Sequence, residues 1–324
     1  MQKLFNSYIK KYQFHPYERL FDKSIKEYVK TDFTDNESKI YAIIETPKVK
    51  YIPESFYPVG NYSFVGDVVI CKKRHTIIIN IAKTWFETES DLSQDLRDDF
   101  SSLDEFTSYF MGQYGNPEKP NLSSSEKYAS IAQVDLKKST ENVLFISCPL
   151  AKAMNGGKDR YAELHIYQMI NMFEIECLGN LEIVYIGKSI SSTFERLRKH
   201  EKWGPVLANQ KGEYDHLVYF LEIEDNEFSN SLVNNVRFIK RDINHLPEDP
   251  IVKICEASLI NFYKPKFNED HKHSDLANSE LVSKWLTKNG YNQLVTEVEL
   301  DGILGRVGSP VQPYQVRHEV NIEL

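Results

Sequence analysis

The spacing of apolar and polar positions divides the chain into stretches of different texture. Val68–Ala82, VVICKKRHTIIINIA, sets two arms of Val and Ile about Cys71-Lys72-Lys73-Arg74-His75, the pattern of a β-hairpin with those five residues at its tip. From about Asp91 to Tyr114, Leu96, Phe100, Leu103, Phe106 and Phe110 recur at spacings of three or four, as on one helix face. Asp95, Asp98, Asp99, Asp104 and Glu105 fall among them and are expected on the solvated side. Gly115–Ser125, GNPEKPNLSSS, is rich in turn and linker residues and is the weakest point of the pattern.

Beyond it, VLFIS (143–147) predicts a buried strand. ELHIYQMI (163–170) and LEIVYIG (181–187) predict two more, joined through Gly179-Asn180, and HLVYFLEIE (216–224) another. SSTFERLRKHEKW (191–203) predicts a helix with Ser191 or Ser192 as its cap. SLVNNVRFIKRDI (231–243) and IVKICEASLINFYK (251–264) predict helices, the second stopped by Pro265. Residues 275–324 add one more helix and a strand-rich tail turning at Asp301-Gly302. The expected division is an N-terminal mixed α/β domain at 1–140, a second domain at 141–274 and an extension at 275–324.

Composition changes this picture little. A chain of 324 residues, 41% hydrophobic and 27% charged, is an ordinary globular one of about two domains. No apolar run approaches the ~20 residues that span a bilayer. The opening MQKLFNSYIKKYQF has no signal-peptide core, so a cytoplasmic protein without membrane contact is expected. Cys71, Cys148, Cys177 and Cys255 lie far apart, which suggests reduced thiols rather than a zinc knuckle or disulfide framework. The net charge of −8 argues against coating nucleic acid by bulk attraction but leaves room for a local basic cleft.

Such a cleft has a candidate. In Tyr185–Trp203, YIGKSISSTFERLRKHEKW, a strand ends in Tyr-Ile-Gly, Gly187 permits a tight turn, and a helix begins. Arg196 and His200, four apart, project from one helix face. From Lys188 to Lys202 there are five Lys or Arg against two acids. Further on, Glu256 is a lone carboxylate in an apolar helix, followed by Lys264-Pro265-Lys266-Phe267-Asn268. Each residue alone has an ordinary structural explanation: a core tyrosine, a solvated helix face, a capping acid, a turn asparagine. Their order together is harder to explain that way.

With these elements residues 160–270 resemble the GIY-YIG nucleases. The matching parts are Tyr185-Ile186-Gly187, the Arg196/His200 pair, Glu256 and Asn268. The first half of the family name is the poorest match, met by His165-Ile166-Tyr167, with His in place of Gly. The resemblance implies a small three-stranded antiparallel sheet flanked by helices, and a metal-dependent endonuclease, of restriction type, acting on double-stranded DNA. It implies that Glu256 ligates one Mg²⁺ (or Mn²⁺), for which carboxylate and water oxygens suit a hard cation. Arg196 would hold a phosphate oxygen. Tyr167 or Tyr185 would orient or deprotonate the attacking water, its pKa lowered by Lys188 or His200; His200 is also a direct proton acceptor. Asn268 would fix Glu256 or the neighbouring loop. Arg198, Lys199 and Lys202, with Lys72, Lys73 and Arg74 at the hairpin tip, are the expected DNA contacts. A restriction role would call for a homodimer, one centre per strand. DNA against RNA, one strand against two, and which tyrosine meets the water stay open. So do a repair or structure-specific nicking nuclease, a non-catalytic nucleic-acid-binding module of the same fold, and a chance match in a structural protein.

Three other patterns are set aside. Met154–Asp159, MNGGKD, lacks phosphate-loop spacing and has Asp159 where Ser or Thr would bind magnesium. His271-Lys272-His273 fits a polar loop better than a metal site. Pro117-Glu118 with Asp135-Leu136-Lys137, loosely like another nuclease motif, straddles the linker.

Overall fold

The computed structural model describes the chain apart from residues 1, 24, 26–37, 83–90, 115–120, 190–191, 199–200, 210–211 and 234–235. It divides into two compact units: residues 1–47 together with 178–324, and residues 48–177. The second is an insertion in the first. These limits differ from the 1–140, 141–274 and 275–324 expected from the linker.

In chain order the strands are β1 (Gln2–Pro16), β2 (Ser38–Pro47), β3 (Val49–Gly60), β4 (Ser63–Ile70), β5 (Lys73–Asn80), β6 (Gln133–Val134), β7 (Val143–Ser147) and β8 (Tyr161–His165). Then follow β9 (Asn180–Lys188), β10 (Tyr214–Val233), β11 (Val236–Ile243), β12 (Gln293–Glu299), β13 (Arg306–Ser309), β14 (Gln312–Gln315) and β15 (Arg317–Glu323). The inserted unit's helices are α1 (Asp91–Asp99), α2 (Leu103–Tyr114), α3 (Ser124–Ile131), α4 (Pro149–Met154) and α5 (Ile166–Met172). Those of the first unit are α6 (Thr193–Arg198), α7 (Trp203–Ala208), α8 (Glu248–Tyr263) and α9 (Glu280–Trp285).

The first unit is built on one nine-stranded mixed sheet in the order β14-β13-β9-β2-β10-β1-β12-β15, with β11 added to β10. The small three-stranded sheet flanked by helices is therefore a wrong expectation. β9, β2 and β10 are antiparallel neighbours, but β1 extends the ladder from Gln2↔Asn230 to Pro16↔Leu217, and β13 continues it beyond β9. β2 is apolar on both faces: Ile40, Tyr41, Ala42, Ile43 and Ile44 are all buried, as in a strand covered on both sides. Tyr41, Ile43, Val184, Tyr185, Val218 and Phe220 form one core cluster with Leu197 of α6 and Trp203 and Val206 of α7. Ala42, Ile44, Ile183 and Ile186 instead line a small apolar cavity with Leu259 and Tyr263 of α8.

Other expectations shift for local reasons. Residues 231–243 are not a helix: β10 runs on to Val233 and β11 returns beside it, from Val233↔Val236 to Asn226↔Ile243, pairing backbone that β2 no longer reaches. Residues 163–170 are not one strand. β8 ends at His165, and α5 begins at Ile166, burying Ile166, Tyr167, Met169 and Ile170 at helical spacing. The 191–203 helix is two short ones, α6 and α7. Helix α8 forms as predicted and stops where Lys264 takes a left-handed conformation (φ 49°, ψ 53°) before Pro265.

The inserted unit holds two three-stranded sheets, β3-β4-β5 and β6-β7-β8. The predicted hairpin is β4 and β5, turning through Cys71 (φ 46°) and Lys72 (φ 68°), two left-handed residues as a tight right-twisted hairpin requires. The 91–114 stretch forms α1 and α2, and α3 opens on a capping box between Ser123 and Glu126. All four cysteines are free thiols, Cys148 and Cys255 buried. Among the described residues no helix is long and apolar enough to cross a membrane.

Candidate active site

The site starts from one antiparallel register. β2 and β9 pair so that Tyr41 lies opposite Gly187 and Ile40 opposite Lys188. A Cβ at Gly187 would stand 2.5 Å from Tyr41 Oη and 2.8 Å from Tyr185 Cε1, so the missing side chain makes room for the two phenols. Their rings lie 6.1 Å apart at 33°. Tyr41 is fully buried and Tyr185 nearly so.

Arg196 reaches this pair from α6. The helix opens with Ser192 Oγ accepting Glu195 N–H at 3.0 Å, which identifies Ser192 as the capping serine. Buried Leu197 anchors it to the sheet, and Trp203 Nε1 donates to Leu197 O at 2.7 Å. The neighbouring Arg196 stays exposed, and its charge acts on Tyr41, Tyr185 and Glu256.

Glu256 comes from α8, on a turn whose neighbours Cys255, Ala257 and Ser258 are wholly buried. Its carboxylate is itself buried and takes Lys188 at the end of β9 as an ion-pair partner. Asn268, past the end of α8, does what a neighbouring strand would do. Its Oδ1 accepts Ile186 N–H at 2.9 Å and its Nδ2 donates to Ile186 O at 2.7 Å. β13 pairs with β9 only at Asn180–Glu182, so the asparagine amide completes the ladder where that strand has ended. Phe267 N–H adds a bond to Val184 O at 3.0 Å. Asn268 therefore holds the β9 backbone between Tyr185 and Gly187, the position opposite Tyr41, rather than Glu256.

Charge and burial act together here. Burial pushes the Tyr41 phenol far above its ordinary value, and Arg196 pulls against that. Tyr185 is also raised, by burial and by the Glu256 charge, while the neighbouring Tyr41 and the charges of Arg196 and Lys202 work to lower it. For Arg196, burial opposes the charge, but Tyr41, Tyr185 and Glu256 outweigh it. Arg196 acts on both phenols, but only Tyr185 also feels Lys202, which makes Tyr185 the better placed of the two to lose its proton. The cations tuning it are Arg196 and Lys202; Lys188, expected in that role, is engaged by Glu256.

Of the sequence-predicted residues, Tyr185, Lys188, Arg196, Glu256 and Asn268 fall on this stretch of the first unit. His200 and Lys199 lie outside the described residues, as does the Arg198 side chain. Lys202 pairs with Glu269 at 3.1 Å. Tyr167 belongs to the inserted unit: it sits on α5 in a core, its hydroxyl 3.3 Å from the Val49 N–H it accepts. Lys72, Lys73 and Arg74 are also in that unit, at the exposed hairpin tip. The residue missed is Tyr41. Lys39-Ile40-Tyr41 carries the same Ile-Tyr signal as His165-Ile166-Tyr167, but the inserted unit separates it from Tyr185.

Among the described residues no three His, Cys, Asp or Glu side chains gather into a ready-made metal cage. A single buried carboxylate at a polar site fits a cation that keeps most of its own water, as Mg²⁺ does. No family model, curated protein or solved structure matches the chain.

Proposed function

We propose that the chain is a metal-dependent endonuclease acting on double-stranded DNA, with its centre formed by Tyr41, Tyr185, Arg196, Lys188 and Glu256. The observation that carries the reading is that an arginine and a buried carboxylate, from two helices, act on a pair of tyrosines from two strands for which Gly187 leaves space. The reading keeps the resemblance to GIY-YIG nucleases and moves its first-strand tyrosine from Tyr167 to Tyr41, on the strand paired with Tyr185-Ile186-Gly187.

Glu256 would hold Mg²⁺ or Mn²⁺, which supplies stabilisation of the departing oxygen and of charge developing on phosphate. Arg196, permanently charged and exposed, binds a non-bridging phosphate oxygen. Tyr185 positions the attacking water and takes its proton, with the charges of Arg196 and Lys202 favouring its ionised form. Tyr41 packs beside Tyr185 under the same Arg196 charge. Lys188 balances the Glu256 charge and yields it as phosphate and cation enter. Cutting both strands of a duplex would take two copies of this centre, hence a homodimer.

The Lys188–Glu256 pair favours a second reading, a nucleic-acid-binding module in which the carboxylate serves only its lysine. Nicking of supercoiled plasmid in Mg²⁺ and in EDTA, by wild type and Glu256→Gln, separates the two. The nuclease needs both Mg²⁺ and Glu256; a module binds DNA without cutting under any of these conditions, and that result overturns the nuclease.

A further inference from the structure

Outside this centre, a strongly cationic exposed feature among the described residues is the β4–β5 tip in the inserted unit. Lys72, Lys73, Arg74 and His75 are consecutive and exposed. A solvated turn would leave such side chains to move independently, but Arg74 is not left so. Asp67, across the hairpin, accepts Arg74 Nε at 2.6 Å and Nη2 through the same oxygen, and Thr76 Oγ1 at 2.6 Å through the other. The Asp67 backbone N–H is in turn held by Ser55 Oγ at 2.8 Å from β3. Arg74 keeps 62% of its side-chain surface exposed while Asp67 keeps 13%. The carboxylate thus sits in a bracket that aims the guanidinium outward and leaves the Nη1 donors unused by it.

One acid of this unit, Asp104, lies away from the tip. Asp104 of α2 bonds Tyr62 Oη at 2.6 Å, at the turn that opens β4. The Lys72 turn is at the other end of that eight-residue strand, roughly 25 Å away at the usual rise per residue.

We propose that the β4–β5 hairpin is a DNA-contacting ribbon in which Lys72 and Lys73 meet backbone phosphates and Arg74, oriented by Asp67, makes a two-pronged contact. The proposal rests on the nuclease reading and assigns the inserted unit to substrate engagement. An exposed, twisted two-stranded ribbon has the dimensions to lie along a duplex groove, and phosphate contacts by Lys and Arg set its register there.

The test uses the full chain carrying Glu256→Gln, so that DNA is bound and not cut, and a 25-base-pair duplex of random sequence over a range of salt. The double variant Lys72→Ala, Lys73→Ala should bind about tenfold more weakly near 0.1 M salt, with the log–log salt slope shallower by about 2. Arg74→Lys, which keeps the charge but not the fork, should weaken binding several-fold at an unchanged slope. Asp67→Asn decides the role of the bracket. Simple attraction predicts tighter binding when a negative charge is removed, and orientation predicts weaker binding. An unchanged salt slope in the lysine variant, or tighter binding by Asp67→Asn, overturns the proposal. Should the otherwise unmodified chain neither bind the duplex nor nick plasmid, the nuclease reading itself fails. Nicking with no effect of the hairpin variants defeats the hairpin proposal alone.

Discussion

Among the described residues two carboxylates are buried against a basic partner, and they are arranged in opposite ways. Asp67 answers Arg74 seven residues away, on the neighbouring strand of a local hairpin, and both of its oxygens have donors. Those bonds, from Thr76 first and then Arg74, hold it below the usual carboxylate range. Glu256 answers Lys188 from 68 residues away, helix to strand end, through one oxygen. The first carboxylate is used up in orienting its neighbour. The second keeps acceptor capacity in a buried position, a costly thing to maintain unless something else shares it. A saturated local pair is architecture; a sparsely bonded, long-range one is a place where a cation and a phosphate can enter.

The sharpest way to break this comparison is to neutralise both. Glu256→Gln should lower plasmid nicking by at least about 10³-fold, as loss of the proposed metal ligand demands. Asp67→Asn, at saturating enzyme, should leave the rate within about threefold, since the hairpin supplies no residue of the proposed centre. Equal losses would erase the distinction.

The phenol pair gives an effect about a tenth as large. Tyr185 is held above its ordinary value by burial first, then by Glu256, so its ionised fraction climbs tenfold per pH unit through neutrality and beyond. The logarithm of the nicking rate should therefore rise with unit slope between about pH 7 and 9, roughly 100-fold in all. Tyr185→Phe should flatten the profile. A bell centred below pH 7 would point to another base.

Gly187→Ala sharpens the geometric side. The added methyl meets Tyr41 Oη at 2.5 Å, against backbone that Asn268 holds in place. Displaced phenols should reduce the rate by up to about 10²-fold, while overpacking removes only about 1–3 kcal/mol of stability. A urea transition alongside the rate shows whether the two separate. The smallest effect belongs to Asn268→Ala, which leaves Ile186 N–H and O without their side-chain partners. The unfolding free energy from a urea transition should fall by about 2 kcal/mol, with a smaller fall in rate.

The contrast between local and distant pairing also explains what the sequence revealed. The β4–β5 hairpin, α8 and its end at Lys264-Pro265, and β9 were legible because their signals are contiguous: a polar tip between Val/Ile arms, an apolar helix before proline, a strand closing in glycine. Tyr41 was hidden for two physical reasons. Its partner on β9 lies beyond the whole inserted unit, and β2 is apolar on both faces, so no alternation announces which side Tyr41 occupies. His165-Ile166-Tyr167 drew attention through mere proximity to Tyr185, although Ile166 and Tyr167 bury themselves as the first turn of a helix. The nine-stranded sheet was out of reach for a similar reason, since β1, β12 and β13 join it through partners far along the chain. At 231–243 the apolar spacing suits a helix, and only the open edge of β10 makes it a strand.

The most direct test of the centre is a paired measurement of plasmid nicking in Mg²⁺ by Tyr41→Phe and Tyr167→Phe. Each removes one hydroxyl and keeps a buried ring. Loss of the Tyr41 hydroxyl should cost about 10²-fold in rate, and loss of the Tyr167 hydroxyl should leave nicking unchanged. Full activity in Tyr41→Phe, with activity lost in Tyr167→Phe, would contradict the account.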